Sequence, residues 1–331
     1  MRKAGMRMQR PTLNKGKPIS KRWAKDRFDF DPSSFYLRML EEDVKLRVVP
    51  IGGTRWNRDF GVSFDAEESE KERADELLMS LSRGETYRES DNEVVTGAIR
   101  WIAVHVLQNG VALFEILNGK DEPSTPSDKD APQKFYLFSF PSKYVFRVPP
   151  YYVQFLPAHA RDEHGASHVL IPREKVWQIK IPPQLGGAKG WRRLQHDLRN
   201  YTDLPRSYGD QMIRKTIPPN YDFSETVRMT RYFLLRRTRT WGWLGRDSSV
   251  ESQTEFFVVY RTLTFEWAVA TLRDHIVAQL NALLVRLGIR AAITLRGVLS
   301  PDDILSLRGR MTAGELDFSE ALNCIYRTSE D

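Results

Sequence analysis

The chain has 331 residues, with 50 Lys and Arg against 43 Asp and Glu, a formal net charge of +7. That length accommodates two domains or one large irregular one. Residues 1–25 carry Arg2, Lys3, Arg7, Arg10, Lys15, Lys17, Lys21, Arg22 and Lys25 and no acidic residue. Taking those nine from 50 leaves 41 basic against 43 acidic residues, a net of −2 for 26–331, so the alkaline character belongs to an arm. A uniformly basic body of the histone or ribosomal kind is excluded.

With 41% hydrophobic and 11% aromatic residues the chain can build a core, which excludes disorder throughout. Cys324 is the only cysteine; it permits no internal disulfide and no cysteine zinc site, and implies a reducing compartment. The longest stretch free of Asp, Glu, Lys and Arg, Trp101 to Phe114, falls short of the roughly 20 apolar residues of a bilayer span. No apolar run follows the basic N-terminus, so it does not read as a secretory signal. These features predict a soluble intracellular protein with no membrane partner.

In chain order, 1–25 reads as a flexible basic arm, and Asp29-Phe30-Asp31-Pro32 opens an ordered region. Glu67-Glu68-Ser69-Glu70 leads into Leu77, Leu78 and Leu81, an acidic helix start with an apolar end that Gly84 closes. Ser90 and Glu93 have capping-box spacing before a helix over 93–108, whose Val95, Ile99, Ile102 and Val106 share a face. Gly110 stands where a left-handed cap belongs, and 111–116 reads as a strand. A proline-bearing polar loop, Asn118 to Lys134, comes next.

Five short β-rich runs follow: 135–140, 144–148, 151–156, 168–171 and 176–181, separated by Gly, Pro and Asp clusters as in a small antiparallel sheet. Helical patterns resume at 191–201, 208–215 and 223–238. The longest helix is predicted over 265–287, where Phe265, Val269, Leu272, Ile276, Leu280, Leu283 and Leu287 form a continuous stripe stopped by Gly288. A strand at 293–295, a helix opening on Ser300-Pro301-Asp302-Asp303, and a last helix over 314–326 complete the chain. The fold class expected is α+β: long helices, a small antiparallel β-rich region and the arm. The predicted division is 1–25, a mixed α/β region 26–183, and a mainly helical region 184–331.

Catalytic signatures are missing: no Gly-x4-Gly-Lys-Ser/Thr, no Gly-x-Ser-x-Gly and no His-Glu-x-x-His. No cofactor, metal or catalytic residue is therefore assigned. Cys324 reads as packing against Phe318, Leu322 and Ile325. His159, Asp162, Glu163, His164 and His168 cluster in sequence, but between two β runs they read more simply as an exposed hairpin loop. Asp162 with Gln178-Ile179-Lys180 has a nuclease-like texture but supplies one placeable carboxylate where two are needed.

The stronger pattern is interleaved basic and aromatic residues. Between 228 and 246 lie Arg228, Arg231, Arg236, Arg237, Arg239 and Arg246 with Tyr232, Phe233, Trp241 and Trp243, and no acidic residue. Guanidinium groups bind phosphate bidentately and aromatic faces stack on bases. Arg231, Arg236, Arg237, Arg239 and Arg246 are the nucleic-acid contact candidates, together with the nine basic residues of the arm. Trp241 and Trp243 also suit a packed corner or a subunit contact.

The order of these features resembles the portal proteins of tailed bacteriophages, over roughly 67–326. The acidic helix is followed by Val94–Gln108 and then Asn109-Gly110-Val111-Ala112-Leu113-Phe114-Glu115-Ile116, similar to the helix, glycine and strand step of portal wings. Phe140-Pro141 and Ile171-Pro172-Arg173-Glu174-Lys175-Val176-Trp177-Gln178-Ile179 are similar to a portal sheet that ends on a proline before a hydrophobic strand. Gly186-Gly187-Ala188-Lys189-Gly190-Trp191-Arg192-Arg193-Leu194 resembles the glycine turn before the next portal helix. Leu299–Asp303 and Gly314–Ala321 resemble late portal segments.

The resemblance implies a structural ring subunit of about twelve copies closed by heterologous contacts. Double-stranded DNA would pass through the ring, a separate packaging motor would dock on it, and capsid and head-completion proteins would be further partners. The place implied is the virion, with host cytoplasm during assembly. The stripe over 265–287 would face neighbouring subunits, and Trp241, Trp243, Trp267, Leu272, Ile276 and Leu280 are the interface candidates. The competing expectations are a nucleic-acid-processing, metal-dependent nuclease-like enzyme and another DNA-associated assembly protein.

Overall fold

The computed structural model describes residues 35–50, 60–81, 91–119, 134–140, 144–156, 161, 165–199, 223–245 and 253–326. The basic arm, Gly84, Ser90, the helix expected over 208–215, Arg246, and His159, Asp162, Glu163 and His164 lie outside the described residues. The elements run α1 (Phe35–Arg47), β1 (Gly61–Ala66), α2 (Glu68–Leu81), α3 (Asp91–Asn109), β2 (Val111–Asn118), β3 (Phe135–Phe140), β4 (Val145–Val148), β5 (Tyr151–Phe155), β6 (His168–Pro172) and β7 (Val176–Lys180). They continue with α4 (187–199), α5 (Phe223–Arg237), α6 (Glu255–Arg286), β8 (Ala291–Arg296), α7 (Pro301–Thr312) and α8 (Phe318–Tyr326). This is a mixed α+β fold with several helices and small antiparallel sheets.

The chain divides into two compact units: Ala112–Gln178, and Asp29–Val111 together with Ile179–Asp331. The expected boundary at 183/184 therefore falls inside the larger unit. The reason is packing. α3 buries Val95, Ile99, Ile102 and Val106 against α1, α2 and α6, so the early helices belong with the late ones.

The smaller unit holds two three-stranded sheets, ordered β3-β2-β7 and β4-β5-β6, where the sequence predicted one. β2 pairs antiparallel with β3, with Leu113 opposite Phe140 and Asn118 opposite Phe135. Phe114 of β2 meets Trp177 of β7 with ring centroids 5.2 Å apart. In the second sheet β5 is central, with Phe146 opposite Val153 on one side and Tyr152 opposite Ile171 on the other.

The larger unit is built around α6. Thr254 caps it by accepting from Phe257 N at 3.3 Å, and Gly288 follows its end at φ 68°. The helix begins ten residues before the stripe predicted it, because Val259 and Leu263 extend its apolar surface to meet Ile304, Leu307 and Met311 of α7 and Ala321 of α8. α7 starts where expected, and on a capping box: Ser300 Oγ accepts from Asp303 N while the Asp303 carboxylate accepts from Ser300 N. β1, which the pattern did not predict, pairs antiparallel with β8, Gly61 opposite Arg296 and Ala66 opposite Ala291. The Asn281 side chain of α6 exchanges two hydrogen bonds with the backbone of Ile293, at 3.0 and 2.8 Å, and holds this ribbon to the helix.

The turn that ends α5 links α6 to α1 and α4 at one corner. The turn after α5, Arg239–Trp241, leads to Gly242 at φ 68°. Gly242 lies so close to α6 that a Cβ there would sit 2.6 Å from Arg261 O and 2.7 Å from Thr264 C, and closer still to Phe265 N. Buried Arg261 donates through Nη2 to Thr238 Oγ1 (2.9 Å) and Trp243 O (2.6 Å), while the single Thr238 hydroxyl proton has Leu234 O and Trp243 O both in reach at 2.8 Å. Burial pulls Arg261 down to about 10, so it stays charged at neutral pH. Trp243 Nε1 donates to Asp43 of α1 at 2.7 Å, and the Trp241 ring lies 4.7 Å from that of Trp191 on α4.

The predicted subunit-interface residues are corrected by this packing. Leu272, Ile276 and Leu280 are fully buried against their own chain, and Trp241 and Trp243 nearly so. Trp267 packs against the α6–α7–α8 cluster. Periodicity shows that a face is apolar, not what covers it. Cys324 is also corrected: it is exposed, while Ala321, Leu322 and Ile325 carry the packing face of α8.

Gly242→Ala is expected to destabilise the chain by roughly 2–4 kcal/mol, from positive φ plus collision with helix backbone. Urea unfolding followed by tryptophan fluorescence would measure it; an unchanged midpoint would refute the close approach.

Candidate nucleic-acid interface

The interface is built on α4 and α5, both of the larger unit. α4 follows Gly186 and opens on Gly187, at φ 91° and 61°, and buries Trp191, Leu194, Gln195 and Leu198. Its polar inner residues terminate α3: Trp191 Nε1 donates to Leu107 O, and Gln195 Nε2 donates to Leu107 O at 2.9 Å and Gln108 O at 2.8 Å. These carbonyls are among the last-turn acceptors that a helix cannot satisfy itself. With that face fixed, Arg192, Arg193, His196 and Arg199 are on the solvent side.

α5 is held by buried Leu234 and by the corner at its C-terminus. Arg228, Arg236 and Arg237 are exposed on it and Arg239 on the turn that follows, while Arg231 is half-buried. Arg237 Nη1 reaches Asp197 Oδ2 of α4 at 3.1 Å, which joins the two helices into one surface. Over 187–199 and 223–239 there are nine Lys and Arg and two acidic residues, Asp197 and Glu225. The rest of 26–331 holds 32 basic against 41 acidic residues, so this concentration is local. Tyr232 is 55% exposed and Phe233 38%, with ring centroids 6.1 Å apart in an edge arrangement.

Arg236, Arg237 and Arg239 are thus brought to one exposed surface, and Arg231 to its margin. Arg246 and the nine arm residues lie outside the described residues. Sequence reasoning did not single out Arg192, Arg193 and Arg199. The signal was present, since in 191–199 the apolar Trp191, Leu194 and Leu198 alternate at helical spacing with these cations.

A second exposed surface belongs to the smaller unit. Strand pairing puts Tyr144, Phe146, Val148, Tyr151 and Phe155 on one face of the β4-β5-β6 sheet. All five are exposed, Phe146 at 56%, whereas Tyr152, Gln154 and Ile171 on the opposite face are buried. Phe146 and Phe155 pack edge-on at 5.6 Å.

Among the described residues no group of three His, Cys, Asp or Glu could hold a metal ion, and no helix is long and apolar enough to cross a membrane. Lys180 of the nuclease-like pattern is exposed at the end of β7, and Asp162 lies outside the described residues. No protein-family model matches this chain, and no curated protein matches it.

Beneath the interface, burial pushes the Glu41 carboxyl of α1 up to about 7, against the opposing pull of Arg199 and Arg38. Burial does the same to Glu115 of β2, opposed by Lys175. A carboxyl raised in the folded chain binds its proton more tightly there than in the unfolded chain. Its stabilising contribution is therefore complete below the ordinary value of 4.5 and is lost as pH rises towards 7. Urea midpoints are expected to fall between about pH 5 and pH 8, and Glu41→Gln to remove part of that fall, leaving the Glu115 share. A variant with the wild-type pH slope would show that Glu41 is not the titrating group.

Proposed function

We propose that this protein is a non-catalytic ring subunit of the phage-portal kind, a conduit for double-stranded DNA served by a separate packaging motor. The observation that carries the reading is the presence, on one chain, of two exposed surfaces of unlike chemistry. The basic α4–α5 face is suited to phosphates, and the aromatic face of β4-β5-β6 is suited to another protein surface.

Four half-exposed rings offer on the order of 400 Å², given the roughly 200 Å² of an aromatic side chain. That is comparable to the largest patch on a monomer but about half of the ~800 Å² per partner of a stable interface. We assign the patch to a second copy of this chain, as one contact among several in a closed ring. It replaces the stripe on α6, which is buried. A local basic face on a near-neutral body suits DNA that must move: phosphate contacts position a duplex without reading its sequence. The arm adds nine further cations for the same polyanion. The order of sequence features over 67–326 supports the portal assignment, and capsid and head-completion proteins are the remaining partners it calls for.

Negative-stain imaging of the purified protein should show rings of about a dozen subunits with a central hole. Phe146→Asp should disperse them, and a monodisperse monomer at micromolar concentration would overturn the reading. For the basic face, Arg236→Ala combined with Arg239→Ala should lower the slope of log affinity against log salt for duplex DNA by about 2. Deleting 1–25 should flatten it further, and an unchanged slope in both would remove DNA from the account.

A further inference from the structure

The exposed side of α5 has an internal order that a phosphate-binding face does not require. Arg228, Tyr232 and Arg236 follow one another at intervals of four, all exposed, and exposed Arg239 comes next on the turn. Residues four apart on a helix lie on one face about 6 Å apart along the axis. Tyr232 therefore stands between two guanidinium groups on a single stripe. Phe233, one position on, sets its ring edge-on to Tyr232 at 67° between planes and flanks it.

A large aromatic ring more than half exposed on a highly cationic helix is otherwise unfavourable, since its apolar faces stay in water. A duplex does not use it, because paired bases stack on each other and offer only edges in the grooves. An unpaired base does use it. Its face stacks on the ring while the phosphates on either side meet cations.

From this stripe we infer that Arg228, Tyr232, Arg236 and Arg239 form a binding site for single-stranded nucleic acid, with one base stacked on Tyr232. The site rests on the nucleic-acid part of the proposed function and adds to it a preference for unpaired nucleotides. The guanidinium groups set the affinity common to all nucleic acids, and the ring sets the preference.

The test is fluorescence anisotropy of the full chain with labelled oligothymidylate of about 12 nucleotides, a length within the site sizes of such surfaces. A mixed-sequence duplex of the same length and a polyglutamate peptide are the comparison probes. Tyr232→Ala should weaken oligothymidylate binding roughly 5- to 100-fold, the equivalent of one lost stacking contact. It should leave duplex binding unchanged, and Tyr232→Phe should restore the wild-type value. Arg236→Ala should weaken both nucleic acids. Because Tyr232 is exposed, its variants are expected to keep the wild-type urea midpoint, which controls for folding.

If Tyr232→Ala binds oligothymidylate as the wild type does while Arg236→Ala weakens both probes, the stacking site is overturned and the DNA reading stands. If the wild type binds neither nucleic acid at low salt, both fall together. Polyglutamate bound as tightly as oligothymidylate, and indifferent to Tyr232→Ala, would overturn the site in favour of an acidic protein partner.

Discussion

The larger unit depends on how closely one turn approaches one helix. Gly242 lies against the backbone of α6 where no side chain fits, and that contact places Trp241 and Trp243 on either side of it. From there Trp243 reaches Asp43 of α1, Trp241 meets Trp191 of α4, and Trp191 closes the end of α3. Arg261 secures the turn from the helix side, its guanidinium held between Thr238 and the carbonyl of Trp243. The buried cation persists because two acceptors are already in place when it is desolvated. The same turn ends α5, so the constraint that orders the core also sets the angle at which the basic stripe leaves it.

The two units divide the chemistry between them. In the larger unit the α6 stripe is withdrawn into the core, and the outer faces of α4 and α5 carry cations with Tyr232 and Phe233 among them. In the smaller unit one sheet face is covered and the other leaves four aromatic rings in water. Covering one face of an antiparallel sheet and leaving the other polar is the usual arrangement. An aromatic outer face departs from it, and the proposed assembly through that face would give the departure a physical reason.

Where elements are stated by neighbouring residues, they were legible. The helix start at Ser300-Pro301, the left-handed glycine at 110, the stop at Gly288 and the strand over Phe135–Phe140 each depend on contacts within a few positions. The start of α6 was not. Phe256-Phe257-Val258-Val259-Tyr260 has strand-like propensity, and the helix there is maintained by α7 and α8, some fifty residues later. β1 was missed for a related reason: Val62-Ser63-Phe64-Asp65-Ala66 alternates but is short, and its strand geometry comes from pairing with β8, more than two hundred positions away. The candidate site was half legible. Its arginines were visible as a run without acids, but the contribution of α4 needed the Arg237–Asp197 contact to be seen.

The sequence by itself determined that an arm and one further segment carry cations without acids, that enough apolar residues follow to build a core, and that a long apolar helix lies near the end. Those are properties of residue type and of spacing along one strand or one turn of helix. Only the tertiary structure decided what covers each apolar surface. It enclosed the α6 stripe and both corner tryptophans within the chain, and it left Phe146, Phe155 and Tyr232 outside. An apolar side chain lowers its free energy equally against its own chain or against another molecule, so composition and period cannot distinguish the two; the packing of distant segments does.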